Sequence, residues 1–387
     1  MPAEKVLHFT HTDLDDPRIL NAARTGIRTG RRVFFCGSDN GTALAGAKEL
    51  FERTSWLDFP PKARVASPLP GSLSRFWKWY PYPSSAEAVS SGLKKVLEEI
   101  RPDLIHAHDL FAAYYAVKTG IATVFDDHEL YSLEARAALE ALSPFEFSRR
   151  AKETLKKNKW AKWEHFVGEH VPILAVSKGI ADHHTSYCSH VFTIPNFPCV
   201  DSVEPRETIG SNAEPGKIRS VYLGRDQLGS TDPFRNIAGL HEAFSTNNLT
   251  GTLVRIGVSE PNSDRIKSVG RLQMRDAYTM MYKECHIGLL PWRKHWFHRY
   301  ANPNKVYEYA HCGLWLVSID DIPSVQDDFG ENCDLFSDYE GMAEILEKYN
   351  SSPTELDTKR QRILSYARAN LIWEKNEPKI LEAYQLA

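Results

Sequence analysis

Short apolar runs separated by helix-length stretches recur along most of the chain. KVLHFTH, RRVFFCG, DLIHAHD, IATVFDD, PILAVSK and HVFTIPN each read as a strand, and residues 15–30 read as a helix with acidic residues at its front. Apolar runs alternating with helices predict βαβ units and a parallel sheet covered on both faces. The segment 198–216, PCVDSVEPRETIGSNAEPG, interrupts this rhythm. It is rich in Pro, Ser, Glu and Gly, has neither helical nor alternating periodicity, and is expected to be a linker. A second set then begins with IRSVYLG and continues through GTLVRIG, CHIGLLP, GLWLVSI and CDLF. Residues 355–387 are helical in pattern, and Pro378 must kink that segment or start a separate final helix.

The pattern predicts an α/β protein of two doubly wound, Rossmann-like domains facing a cleft, with a C-terminal helix returning to the first domain. The expected division is 1–198, a linker over 199–216, a second domain over 217–368 and a terminal helix over 369–387. A chain of 387 residues suits that division, being long enough for roughly two domains of ~150–200 residues. In doubly wound sheets ligands bind beyond the carboxyl ends of the strands, so the polar residues after each apolar run are the ones to read for chemistry.

Composition adds mainly exclusions. The chain is 42% hydrophobic and 25% charged with a net charge of −3, which argues against a general nucleic-acid binder. No stretch approaches the ~18 consecutive apolar residues of a membrane span, and MPAEKVLHFTHTD lacks the zones of a signal peptide. The six cysteines are scattered without a CxxC, which fits neither a disulfide framework nor a cysteine zinc site; a reducing cytoplasm is the simplest compartment.

Seven stretches in order carry a family likeness: TDLDDPRILNAARTGIRTGRRV, DLIHAHD, FDDHELYS, AVSKGI, TIPNFP, VYLGR and NPNKVYEYAHCGLWLVS. Together they resemble the group 1 (family 4) glycosyltransferases, retaining enzymes of the two-domain GT-B fold. The resemblance implies transfer of a sugar from a UDP- or GDP-sugar donor to a glycan, polysaccharide or lipid-linked acceptor hydroxyl. It implies retention at the anomeric carbon, with no cofactor and no bound metal required.

Read physically, Asn302, Pro303 and Asn304 form a helix start, with Asn302 suited to the N-cap and Pro303 to the first helical position. The free N–H groups there, with Asn304 and the charge of Lys305, make a ready phosphate site. Glu308 follows Lys305 at i+3 and shares its face, where a carboxylate can accept both hydroxyls of a ribose. The matching glutamate of the resembled family holds that ribose. An ordinary solvated Lys–Glu pair is the competing reading. Arg225, ending VYLGR, matches a family arginine that binds the diphosphate. Where the family often has a second glutamate this chain has Tyr300, and where a lysine often follows the arginine it has Thr231. Sugar contacts would then fall to His298, Arg299 or Tyr300, and charge to Lys305 or Arg235.

On the first domain, HAHD places His106 and His108 on one face of a strand. His108 is the expected cleft residue near the reacting sugar, and His106 an ordinary hydrogen-bonded core group. FDDHELY ends a strand with Asp126, Asp127, His128 and Glu129, which are expected to bind the acceptor or order the cleft floor. Asp13 and Arg18 follow strand one, in the loop that approaches the donor in such enzymes. Asp13 and Asp15 also spell a DxD, which is read as helix-start chemistry rather than as a metal motif.

Residues 149–163 carry seven Lys or Arg against one Glu. Arg149, Lys152, Lys156 and Lys159 form a stripe on a helix, with Leu155, Trp160, Trp163 and Val167 expected inward. A solvated basic face and a peripheral contact with an anionic membrane, at its cytoplasmic face, both fit. Two other functions fit the fold: a GT-B nucleotide-sugar epimerase, and a catalytically inactive GT-B binding subunit. A dinucleotide oxidoreductase is disfavoured, since no GxGxxG follows either first strand.

Overall fold

The computed structural model describes the chain except residues 1–3, 15, 40, 42, 45, 58–82, 205, 227–233 and 246–250, and except the side chains of 83–88. Asp15 and Thr231 therefore lie outside the described residues. The chain divides into two compact units, one of residues 1–195 with 376–387 and one of residues 196–375.

The first unit holds a seven-stranded sheet. Its strands are β1 (Lys5–Phe9), β2 (Arg32–Gly37), β3 (Arg53–Trp56), β4 (Leu104–His108), β5 (Thr123–Asp127), β6 (Ile173–Ala175) and β7 (Val191–Thr193). They lie in the order β3-β2-β1-β4-β5-β6-β7, and every pairing is parallel. Val6, Leu7, Ile105, Ala107, Val124 and Phe125 are wholly buried, as strands covered by helices on both faces require. The order reverses between β1 and β4, where Leu7 pairs with Ile105 and His8 with His106. That reversal is the switch point at which doubly wound sheets open a crevice.

The second unit repeats the plan with β8 (Arg219–Leu223), β9 (Thr252–Ile256), β10 (Ile266–Ser268), β11 (Ile287–Leu290), β12 (Trp315–Ile319) and β13 (Cys333–Phe336). All are parallel in the order β10-β9-β8-β11-β12-β13, with the switch point between β8 and β11. Two strands, β3 and β10, escape the sequence pattern. Both are edge strands with mostly half-buried or exposed side chains, so neither carries a continuous apolar run.

The expected linker is a strap laid along the helix Pro353–Asn370. Asp357 accepts from Ala213 N, Arg360 donates to the Ser211 carbonyl at 2.6 Å, and Gln361 donates to the Glu207 carbonyl at 2.8 Å. Pro378 stands in the first turn of a separate final helix, Glu377–Leu386. That helix belongs to the first unit, where the Tyr384 hydroxyl lies 2.7 Å from His106 Nδ1 and Glu377 accepts from Arg28 Nε at 2.8 Å.

Candidate functional site

At the second unit's switch point, the helix Asn304–His311 is seated by its own aromatic face. Tyr309 lies over Gly288 of β11, where a Cβ would fall 2.3 Å from the tyrosine ring. Its hydroxyl accepts the Leu223 N–H at the end of β8, at 2.7 Å. The helix closes in a Schellman turn: Gly313, at φ +66°, donates to the Ala310 carbonyl, and Leu314 donates to that of Tyr309. Glycine alone meets that dihedral without strain.

This seating places Lys305 over the carboxyl end of β8. Its ammonium lies 3.1 Å from the Tyr222 hydroxyl, 3.7 Å from Asp226 Oδ2, and over the rings of Tyr222 and Trp292 at 4.3 and 5.2 Å. The Tyr222 hydroxyl donates to Asp226 and also accepts from Trp292 Nε1 at 3.1 Å. A Cβ at Gly224 would come within 3.0 Å of Lys305 Nζ, so the residue before Arg225 must stay small for the lysine to sit there. Burial lowers the Lys305 pKa to about 8, against the opposing pull of Asp226. Glu308, one turn on, is half-buried, and burial lifts its carboxyl to about 7 despite Lys305 and a hydrogen bond from Tyr278. It lines a small cavity with Glu204, Arg206 and Tyr278. Lys305 and Glu308 are thus both held in desolvated surroundings, unlike a surface ion pair.

Asn302 behaves differently from its expected role. The capping position is Pro303, without a side-chain cap bond. Asn302 instead accepts the Asn196 N–H at 2.8 Å and donates to the Tyr307 hydroxyl at 2.7 Å, which fills its amide with structural partners. Asn304 is exposed at the helix start. Arg225 is exposed and makes no ion pair among the described residues; the competing partner, Asp226, is taken by Tyr222 and Lys305. His298 is buried between the Phe234 carbonyl at 2.6 Å and Asp321 at 2.8 Å, so it shapes the loop instead of facing a ligand. Tyr300 is half-buried at the end of the turn Trp296–Tyr300, against Phe297 and Arg299.

The first unit gathers a histidine cluster at its own switch point. His108 is fully buried, with Nε2 3.1 Å from His8 Nδ1 and Nδ1 3.3 Å from Asp126 Oδ2 and 3.4 Å from His128 Nε2. The side chain placed by sequence nearest an open cleft is therefore internal, and His128 forms the cluster's outer edge. His106 bonds Tyr384 and lies 3.3 Å from Asp126, as a core histidine does. Arg18 grips Asp126 through Nε and Nη2, at 2.8 and 2.7 Å to Oδ1, and donates to the Ile194 carbonyl. Burial opposes ionisation of Asp126, but Arg18 and His128 outweigh it and hold the carboxyl well below its usual range. Burial also opposes the charged form of His128, yet Asp109, Asp126 and Asp16 hold its pKa well above the ordinary value. Burial, with His106, lowers His108 to about 3. Asp109, at φ +67°, is buried near His128 and His11, and burial lifts it to about 7.

The DDHE run divides across the strand. Asp127 points to the opposite face and bonds His184 at 2.6 Å, and Glu129 is exposed. Asp13 is buried, its carboxylate accepting the Leu14 N–H at 2.8 Å. Sequence reading missed His8, Asp16, Tyr222, Trp292 and Tyr278. The signal for His8 was its position on β1, one strand from His106 and in register with it.

On the helix Phe147–Gly168, Trp163 stacks on Tyr114 at 3.8 Å and Val167 is buried, but Leu155 is exposed, against expectation. The cause is helical phase: at ~100° per residue, Leu155 falls about 80–140° around the helix from Trp160, Trp163 and Val167 and so lies off the face that they bury. Arg149 pairs with Glu146, Lys156 with Glu153, and Lys159 lies over Trp163 at 4.2 Å. Among the described residues no helix is long and apolar enough to cross a membrane.

Two doubly wound parallel sheets in separate units define the GT-B class of fold, and solved structures agree. Sucrose-phosphate synthase from Thermosynechococcus elongatus matches with a TM-score of 0.68 at 14% identity, over 98% of each chain. Anabaena Alr3699/HepE in complex with UDP matches at 0.64 and 12% identity, over 98% of this chain and 99% of that one. Arabidopsis thaliana UGT89C1 complexed with quercetin matches at 0.54 and 12% identity, over 99% and 100%. The chain has the GT-B fold of these glycosyltransferases. Within it, residues 43–198 match the family model described as Glycosyltransferase Family 4. That match lies almost wholly within the first unit. No curated protein matches the chain.

Proposed function

We propose that the protein is a retaining glycosyltransferase that moves a sugar from a UDP- or GDP-sugar to an acceptor hydroxyl. The observation that carries this reading is the arrangement of Lys305 and Glu308, one turn apart on their helix and both desolvated, with Lys305 at the end of β8. Lys305, Arg225 and the first N–H groups of the helix Asn304–His311 would hold the diphosphate; Glu308 would accept the ribose hydroxyls. Donors aimed at the leaving diphosphate stabilise charge that develops as the glycosidic bond breaks, so they lower the barrier more than they tighten ground-state binding. This donor reading asks for no metal ion beside the phosphates. Retention rests on the likeness to family 4, and HepE, a structural relative, was solved with UDP-glucose.

A thermal-shift screen of UDP, GDP and their sugars tests the donor site. One nucleotide class should raise the melting temperature, and Glu308→Ala should remove most of that rise. No response from the wild type, or an equal response from the variant, refutes the site. Turnover of the donor without acceptor would identify the epimerase, and binding without any turnover the inactive subunit.

A glycan or lipid-linked acceptor is the finer part of the proposal. Phe145 and Phe147, 83% and 75% exposed at the start of the basic helix, support a peripheral contact with an anionic membrane, at its cytoplasmic face. Arg149, Lys152, Lys156 and Lys159 would add charge. Co-sedimentation with anionic vesicles should fall when both phenylalanines are changed to Ser; unchanged sedimentation removes this part.

A further inference from the structure

We propose that His108, Asp126 and His128 in the first unit bind one divalent metal ion of the zinc class. The three facing atoms are His108 Nδ1, Asp126 Oδ2 and His128 Nε2. Their separations are 3.3 Å from His108 to Asp126, 3.4 Å from His128 to Asp126, and 3.4 Å between the two ring nitrogens. They form a nearly equilateral triangle. In a tetrahedral site, ligand atoms are about 1.6 bond lengths apart, so zinc bonds of about 2.0–2.1 Å place them about 3.3–3.4 Å from one another. The triangle has the size of one face of that tetrahedron.

Hydrogen bonding alone accounts for these distances less well. The two nitrogen–oxygen distances exceed the ~2.7–3.2 Å range of ordinary N–H···O bonds. Four nitrogens crowd Asp126 Oδ2, since His106 Nε2 also lies 3.3 Å away and Arg18 Nε 3.0 Å, and not all of them can be bonded to it. A single oxygen has two lone pairs.

The surroundings fit ligation. A metal-bound histidine commonly gives its other ring nitrogen to a carboxylate or another acceptor. His128 Nδ1 lies 3.0 Å from Asp16 Oδ2, and His108 Nε2 lies 3.1 Å from His8 Nδ1. His8 is fully buried and its remaining nitrogen has no hydrogen-bond partner among the described residues, so its ring is free to take the tautomer that accepts from His108. Arg18 makes its two shortest bonds to Asp126 through Oδ1, and only the 3.0 Å contact of its Nε shares Oδ2 with the ion. His106 is a poor substitute ligand. Its ring stacks on that of His108 at 4.4 Å and 13°, and lone pairs lying in two parallel ring planes do not converge on one ion. The His108 and His128 rings cross at 71° instead. Three protein ligands leave a fourth position for a water or a hydroxyl oxygen, on the side of His128, the least buried of the three.

The test uses cobalt(II) as a spectroscopic stand-in for zinc, on full-length protein stripped with a chelator and desalted. The wild type should retain one cobalt per chain after gel filtration and show the intense visible bands of a four-coordinate ion. His128→Asn should lose both while keeping the wild-type circular dichroism. Asp16→Asn, which keeps its helix cap and removes only the outer carboxylate, should weaken affinity about 10–100-fold. If the wild type retains no stoichiometric cobalt, or if His128→Asn and Asp16→Asn both bind it as the wild type does, the site is refuted. No nucleotide sugar enters the measurement, so the result is independent of the donor site.

Discussion

The ammonium of Lys305 rests 3.1 Å from the Tyr222 hydroxyl, with the tyrosine ring beneath it at 4.3 Å. A cation in that position is desolvated before any ligand arrives. Lys305→Met should therefore stabilise the ligand-free protein at pH 7 by about 1–3 kcal/mol, since a downward pKa shift measures the cost of the buried charge. The sign follows from linkage: the folded pKa, about 8, lies below the value of 10.5 for an unperturbed lysine. The wild type consequently gains stability as pH rises between those values, and the gap to the variant closes. The same variant should lose most of its nucleotide-induced thermal shift. Urea midpoints at pH 7 and 10 check the first part, and a variant less stable than wild type at pH 7 contradicts it.

Gly288→Ala should cost at least about 3 kcal/mol and abolish nucleotide binding together. The new methyl would sit 2.3 Å from a Tyr309 ring carbon, so the whole helix Asn304–His311 must move, at the upper end of overpacking costs. Chemical denaturation with a parallel UDP and GDP titration reads both effects. A variant within 0.5 kcal/mol of wild type would show that the Tyr309 ring does not hold the helix against Gly288.

Asn302→Ala separates support from ligand contact. Loss of its amide leaves the Asn196 N–H and the Tyr307 hydroxyl each short of a partner, a penalty of about 1–3 kcal/mol. The melting temperature should fall while the increment produced by saturating nucleotide is kept. Disappearance of that increment in a folded variant would return Asn302 to the binding groups.

Glu164 provides a pH test away from both sites. It is buried and accepts from Ser132 N and Oγ, and burial lifts its carboxyl from 4.5 to about 7. A folded pKa above the unfolded one means that stability falls as pH rises from 4.5 to 7 and stays reduced above that. Glu164→Gln removes the ionisation. Relative to wild type it should gain about 2–3 kcal/mol between pH 5 and pH 8, which paired denaturation curves will show. Parallel pH profiles for the two proteins would contradict the assignment.

Much of this architecture was legible because buried parallel strands must be apolar along their whole length. KVLHF, LIHAH, TVFDD and TLVRI announce themselves for that reason, whereas the edge strands Arg53–Trp56 and Ile266–Ser268 do not. Lys305 and Glu308 could be named because both lie within one helical turn, where spacing fixes which side chains share a face. Their supports could not. Tyr222, Trp292 and Tyr278 come from three distant stretches, and only the folded unit brings the first two to Lys305 and the third to Glu308. Asn302 misled because its type suits a cap; a tertiary partner, Asn196, claimed the amide first. His108 misled because strand alternation gives the face of a residue but not the depth at which that face is covered.

The return of the helix Glu377–Leu386 to the first unit bears on how the protein is made. The first sheet can pair once residue 193 has been synthesised, but its His106 still lacks the Tyr384 hydroxyl, 2.7 Å away in the finished structure. Residues 196–375 must be translated before that partner arrives. A nascent chain would therefore carry a formed but incompletely sealed first sheet while the second is still emerging. A premature stop shortly before residue 376 would leave the second unit whole and damage the first, the half of the molecule farther away in the message.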